Sequence, residues 1–232
     1  MTSEPCDLVG ASRLPAVGTT IFSVMSALAA STGAINLGQG FPDFDCDPAL
    51  VDAVAAAMRA GHNQYPPMTG VPALRRAVSD KIALSTGRRY DADAEITITA
   101  GATQGILSTV LALVHPGDDV IVLEPCYDSY GPSITLAGGN TIRVPLVPGT
   151  WRPDFDALAR ALTPRTRLVI VNTPHNPSGT VWTAAERGRF AALLAPTRAL
   201  VRSDEVDEHM GCDGVAPASV SVLPELAERS VV

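Results

Sequence analysis

Arg167-Leu-Val-Ile-Val-Asn-Thr-Pro-His-Asn-Pro-Ser-Gly179 runs from a continuous apolar stretch into a turn punctuated by two prolines and a glycine. A short strand that is apolar on both faces must be covered on both, as the inner strands of a parallel sheet are. The same texture recurs at Asp119-Val-Ile-Val-Leu123, Thr141–Val147 and Ala199-Leu-Val201, and Glu95-Ile-Thr-Ile-Thr99 alternates as a further strand should. Between and before these runs lie segments with helical spacing. They are Thr103–Val114, Phe155–Leu162 and Thr183–Leu194, preceded by Thr20–Ala30, Pro48–Ala60 and Val71–Ser85. Strands alternating with helices predict an α/β fold, a mainly parallel sheet sandwiched by helices.

In such sheets ligands sit beyond the carboxyl ends of the strands, so the residues that follow each strand are the candidates for chemistry. Thr99-Ala-Gly-Ala-Thr-Gln104 is a junction of small residues opening a helix, where free N–H groups favour an anion such as phosphate. A plain tight turn at Gly101 with a cap at Thr103 would read the same way. Glu124-Pro-Cys-Tyr-Asp-Ser-Tyr130 places Tyr127 where its ring can stack on a flat ligand or close the top of the core. In Asn172–Gly179, Asn176 offers an amide donor and acceptor, enough for a phenolate oxygen and a carboxylate, while His175 reads as a packing or solvated side chain. Ser203-Asp-Glu-Val-Asp-Glu208 puts Asp204 where a buried strand emerges, a costly site for a carboxylate without a cationic partner. Thr103, Tyr127, Asn176 and Asp204 are expected to line one cavity.

The chain has 232 residues, 46% hydrophobic and 18% charged, with a formal net charge of -7 that is spread along it. That distribution carries no footprint for nucleic acid or for an anionic membrane. The N-terminus lacks a secretory pattern and no apolar run is long enough to span a bilayer, so a cytoplasmic protein is expected. Cys6, Cys46, Cys126 and Cys212 show no metal-ligand spacing and read as free thiols.

Taken in order, Asn36-Leu-Gly-Gln-Gly-Phe-Pro-Asp-Phe44, Asn63-Gln-Tyr65, the Gly101 junction, Glu124–Tyr130, Asn172–Gly179 and Ser203-Asp-Glu-Val206 resemble the fold-type I pyridoxal-phosphate aminotransferases. With Leu14–Phe22 and Gln64–Val71 added, the likeness is strongest to the methionine and kynurenine aminotransferase branch. The resemblance implies an N-terminal arm with part of a small domain over residues 1–45 and a cofactor-binding large domain over 46–232. It implies pyridoxal 5'-phosphate as cofactor, an amino acid and a 2-oxo acid as substrates, and a homodimer. Backbone N–H groups of Ala102 and Thr103 would hold the phosphate, Tyr127 would stack on the ring and Asp204 would pair with its nitrogen. Asn176 would bind the 3-oxygen and the substrate carboxylate, and Gly40 would meet that carboxylate through its backbone. Tyr65 would reach across the dimer to the phosphate in the other subunit. No residue is expected to bind a metal.

The chain departs from that pattern in three places. Its one lysine, Lys81, lies beside Asp80 on the polar face of the helix 71–85 and reads as a solvated charge. The family's cofactor-bonding lysine is expected within about ten residues past Val232, at the end of a strand that Arg229-Ser-Val-Val232 begins. Asp207 stands where the family usually has a tyrosine bonded to the 3-oxygen, and Arg202 interrupts an apolar strand, where snorkelling, pairing with a carboxylate such as Asp207 or a frayed edge would relieve it. Three readings stand: an aminotransferase whose amine lies outside this chain, a non-catalytic remnant or dimer partner of a full-length relative, and a carbon–sulfur lyase on the same scaffold.

Overall fold

The computed structural model describes residues 12–15, 17–40, 42, 44–211 and 219–232, so Cys6 and Cys212 lie outside the described residues, as do Phe41 and Asp43 of the 36–44 motif. The chain forms two compact units, Met1–Met68 and Thr69–Val232. The first holds two helices. Helix α1 (Ile21–Thr32) starts at Thr20, whose side chain accepts the Ser23 N–H, and ends at Gly33 in the left-handed conformation. Helix α2 (Pro48–Arg59) starts with proline in its first turn after an Asp47 cap.

The second unit carries the sheet. Its elements run α3 (Pro72–Thr86), α4 (Gly101–Leu113), β1 (Asp119–Glu124), α5 (Tyr130–Ala137), β2 (Asn140–Pro145), α6 (Phe155–Ala161), β3 (Thr166–Asn172), α7 (Ala184–Leu194), β4 (Leu200–Asp204), a 3-10 turn at Val220–Val222, α8 (Pro224–Ala227) and β5 (Ser230–Val231). The strand order is β2-β1-β3-β4-β5 and all four pairings are parallel. Because β2 and β3 lie on opposite sides of β1, the order reverses between β1 and β3, the switch point at which ligands settle in open sheets.

Two apolar layers cover the sheet. Val120, Val122, Leu168 and Ile170 pack with Ile106 and Val110 of α4 and Ile134 of α5. Their neighbours Ile121, Leu123, Val169, Val171 and Val201 turn to the other face and pack with Phe155, Leu158, Trp182, Phe190 and Leu194. Burial of each such side chain stabilises by about 1.5–3 kcal/mol, so the uninterrupted apolar strands are explained by cover on both sides.

Two sequence expectations change. Glu95–Thr99 joins no ladder; of its amides, Glu95 N–H donates to the Asp91 carbonyl at 2.8 Å and Ile98 N–H to the Thr69 carbonyl at 3.0 Å. Alternation marks a strand's faces, but only an adjacent strand completes its hydrogen bonds. Helix α5 was not anticipated, since Gly131 and Pro132 occupy its first turn. A proline there removes no helical hydrogen bond, because the first N–H groups have no intrahelical acceptor.

Candidate functional site

Asp204 is the last residue of β4 and pairs in register with Asn172, the last of β3. Its carboxylate is buried, 4% exposed, and among the described residues no cation lies within ion-pair distance. The Tyr130 hydroxyl donates to Oδ2 at 2.6 Å, and the Val206 N–H donates to Oδ1 at 3.3 Å. Burial and the adjacent Asp204 charge push the Tyr130 hydroxyl far above the ordinary tyrosine range, so it stays protonated and remains the donor.

From Asp204 the contacts spread to two other strand ends. The Tyr130 ring meets the Tyr127 ring edge-on, with centroids 6.2 Å apart, and Tyr127 is half-buried against the α4–α5 layer. Asn172 Nδ2 donates to the Asp204 backbone carbonyl at 2.8 Å, while Asn172 Oδ1 accepts the Asn176 N–H at 2.7 Å. Asn172 thereby ties the loop after β3 to the end of β4. The Asn176 side chain stands exposed, and both the Thr173-Pro174 and Asn176-Pro177 peptides are cis. His175 is buried rather than solvated: Nδ1 lies 2.6 Å from Ser178 Oγ, and burial lowers its pKa against the opposing effect of a hydrogen bond to Pro125.

Helix α4 begins at the glycine junction without a side-chain cap. Gly101 has φ +76, and Ala100 provides no side-chain cap, so the first-turn N–H groups, including those of Ala102 and Thr103, lack helical acceptors. A cavity of about 690 Å³ joins Ala102 and Asp204, with Glu95, Thr97 and Thr99 on one side and Arg202, Val231 and Val232 on another. Thr103, Tyr127 and Asn176 are not among its lining residues. Tyr127 and Asn176 reach Asp204 through Tyr130 and Asn172 instead.

Gly40 and Tyr65 belong to the first unit, where Tyr65 is fully exposed and, among the described residues beyond its chain neighbours, no atom lies within 4 Å of the point a Gly40 Cβ would occupy. Asp207 is half-buried in the turn after β4 and forms no ion pair among the described residues. Of the three ways by which Arg202 could be relieved, the pair with Asp207 is absent there: Arg202 Nη1 donates to the carbonyls of Ser203 at 2.7 Å and Val231 at 3.1 Å. Backbone carbonyls of β4 and β5 take the place of the carboxylate. Lys81 is exposed, as a solvated charge should be, but it also pairs with Glu208 in the turn after β4 and lines the cavity that holds Asp204. Distance along the sequence concealed that α3 faces this turn.

Tyr130 and Asn172 carry the connections of the site, although their motifs gave them no role from sequence. The available signal was a polar side chain at the end of a buried strand or one helical turn from a stacking tyrosine. Cys126, in the turn after β1, has its thiol pushed up to about 11, first by burial and then by Glu124, which disfavours the reactive thiolate near neutral pH.

Residues 32–231 match the family described as aminotransferase class I and II. The chain belongs to that family. Methionine aminotransferase of Escherichia coli is 48% identical over 231 residues, covering 100% of this aminotransferase chain and 59% of the relative. A probable N-succinyldiaminopimelate aminotransferase of Mycobacterium tuberculosis is 44% identical over 222 residues, covering 95% and 56%. The solved structure of the E. coli enzyme superposes with a TM-score of 0.92 over 96% of this chain and 58% of that one. The aspartate aminotransferase of Rhizobium meliloti, 31% identical, gives 0.87 over 96% and 57%. The chain therefore spans less than three-fifths of the length of these relatives. Members of the family use pyridoxal phosphate. Among the described residues no helix is long and apolar enough to cross a membrane, and no cluster of three metal-ligating side chains occurs.

Proposed function

We propose that this chain is the cofactor-binding part of an amino-acid aminotransferase of the methionine or aromatic type, with a 2-oxo acid as acceptor. The observation that supports it best is the Asp204 carboxylate, buried at a strand end, oriented by Tyr130 and without an ion-pair partner among the described residues. A buried carboxylate of that kind fits a protonated ring nitrogen, and the uncapped start of α4 fits a phosphate. Pyridoxal phosphate, when bound, supplies an electron sink for bond breaking at the amino acid's α-carbon. In this reading Asp204 holds a proton at the ring nitrogen, Tyr127 covers the ring, and Ala102 and Thr103 bind the phosphate. Asn176 orients the 3-oxygen and the substrate carboxylate, the latter with the Gly40 backbone. Asp207 stands near the 3-oxygen, and Tyr65 serves the second site of a cytoplasmic homodimer. Residues 1–45 act as arm and small-domain segment, and 46–232 as the large domain.

The amine that would bond to the cofactor is proposed to come from outside these 232 residues, because Lys81 is held by Glu208. By itself the chain would then be inactive. A non-catalytic remnant or dimer partner is the second reading, favoured by Arg202 and Asp207 beside the ring site; a carbon–sulfur lyase is the third.

Titration of the purified chain with pyridoxamine phosphate, followed by its fluorescence, tests the assignment. Saturable binding is expected, weakened at least about tenfold in Asp204→Asn, which removes one partner of a buried charge pair. Absence of saturable binding would refute the site. Borohydride treatment with pyridoxal phosphate should leave Lys81 unmodified; a one-to-one adduct there would overturn the inactivity.

A further inference from the structure

Arg202 is 5% exposed and has no carboxylate within 4.0 Å among the described residues. Its Nη1 caps two backbone carbonyls, and its Nε is buried without a hydrogen-bond partner. A guanidinium this deep cannot shed its charge, so the charge must be balanced through the protein interior. Residues two apart on a strand face the same side, which puts Arg202 beneath Asp204 at about 7 Å along β4. Both side chains line the same cavity. Arg202 lies against α4, where a Cβ at Gly105 would stand in ordinary contact with Nη2 at 3.6 Å.

The other charged groups around the cavity have partners of their own. Lys81 and Glu208 neutralise each other, and Glu205 accepts hydrogen bonds from Ser203 and Ser219. Glu95 belongs to the exposed start of the 95–99 segment and accepts the Asp91 N–H. Around Asp204 itself the contacts are the neutral Tyr130 hydroxyl and one backbone N–H. Burial lowers the Arg202 pKa, and Asp204 is the foremost of the groups that oppose this, with Glu205 the other carboxylate.

We infer that Arg202 is the resident counter-ion of Asp204, so that the ring-nitrogen site of this chain carries its own cation. The attraction between opposite charges at this separation is substantial where water is scarce. It offsets the buried charge of Arg202 before any ligand arrives, and it weakens the site's preference for a positively charged ring. The second consequence rests on the cofactor reading above; the first does not.

A double-variant cycle on the purified chain separates them. Urea midpoints are measured for wild type, Arg202→Leu, Asp204→Asn and the double variant, without cofactor. Asp204→Asn is expected to shift the midpoint differently in the Arg202→Leu background than in wild type, the signature of a direct coupling. Should Arg202→Leu fail to fold, Arg202→Met completes the same cycle. Additive shifts would overturn the counter-ion. In parallel, Arg202→Leu should bind pyridoxamine phosphate at least about fivefold more tightly than wild type, and unchanged affinity would overturn the competition with the ring. Coupling without pyridoxamine phosphate binding in any variant would uphold the counter-ion and refute the cofactor site.

Discussion

The hydroxyl of Tyr130 is the clearest single determinant of how Asp204 is held. It comes from the first turn of α5, sits 2% exposed and donates to Oδ2 at 2.6 Å. Tyr130→Phe keeps the ring packing and removes the donor, leaving a buried carboxylate oxygen unsatisfied. The expected cost is about 1–3 kcal/mol in urea unfolding, with weaker pyridoxamine phosphate binding alongside. An unchanged midpoint and affinity would show that Asp204 is positioned by other groups. The residue types at Tyr127, Asn176 and Asp204 were legible from sequence because each lies at or just after a strand end. Tyr130 and Asn172 were not, since a hydroxyl or amide shows its partner only when two distant strand ends meet. Arg202 was legible as an anomaly but not as a solution, because its acceptors are backbone carbonyls, which exist at every position.

At the scale of elements, the 95–99 segment shows what local pattern leaves open. Its Ile98 N–H donates to the Thr69 carbonyl, beside a turn that depends on Gly70. Gly70 has φ +100, and a Cβ there would come within 2.4 Å of Ile98 Cγ1 and 2.7 Å of Ile98 Cβ. Gly70→Ala should therefore cost more than the roughly 1–2 kcal/mol of a left-handed alanine, since Ile98 must also move. Hydrogen exchange at the Ile98 amide should quicken together with a lower urea midpoint. If neither changes, the turn does not hold this segment. The buried strands β1, β3 and β4 were readable because continuous apolar runs admit few other fates; α5 was hidden by its proline and glycine.

For the molecule as a whole, the two sheet edges differ. β2 ends at Pro145 and carries Arg143 ion-paired to Glu124, features that discourage pairing with another chain. β5 is only Ser230–Val231, and beside it the cavity separates Arg202 and Val231 from the unpaired 95–99 segment. Purified as 232 residues, the chain should self-associate with rising concentration, read by light scattering, and Val231→Lys should suppress this. A monodisperse monomer with a sharp, cooperative melt would refute that expectation. Sequence by itself determined the α/β class, the parallel sheet, the family and the residue types at three strand ends, because apolar periodicity and motif order are properties of the chain alone. Only the tertiary structure decided that Tyr130 orients Asp204, that Asn172 joins two strand ends, that Lys81 is engaged by Glu208 and that Arg202 is buried without a carboxylate beside it. Those are pairings between residues far apart along the chain, and a pairing has no physical existence until folding brings both partners to one place.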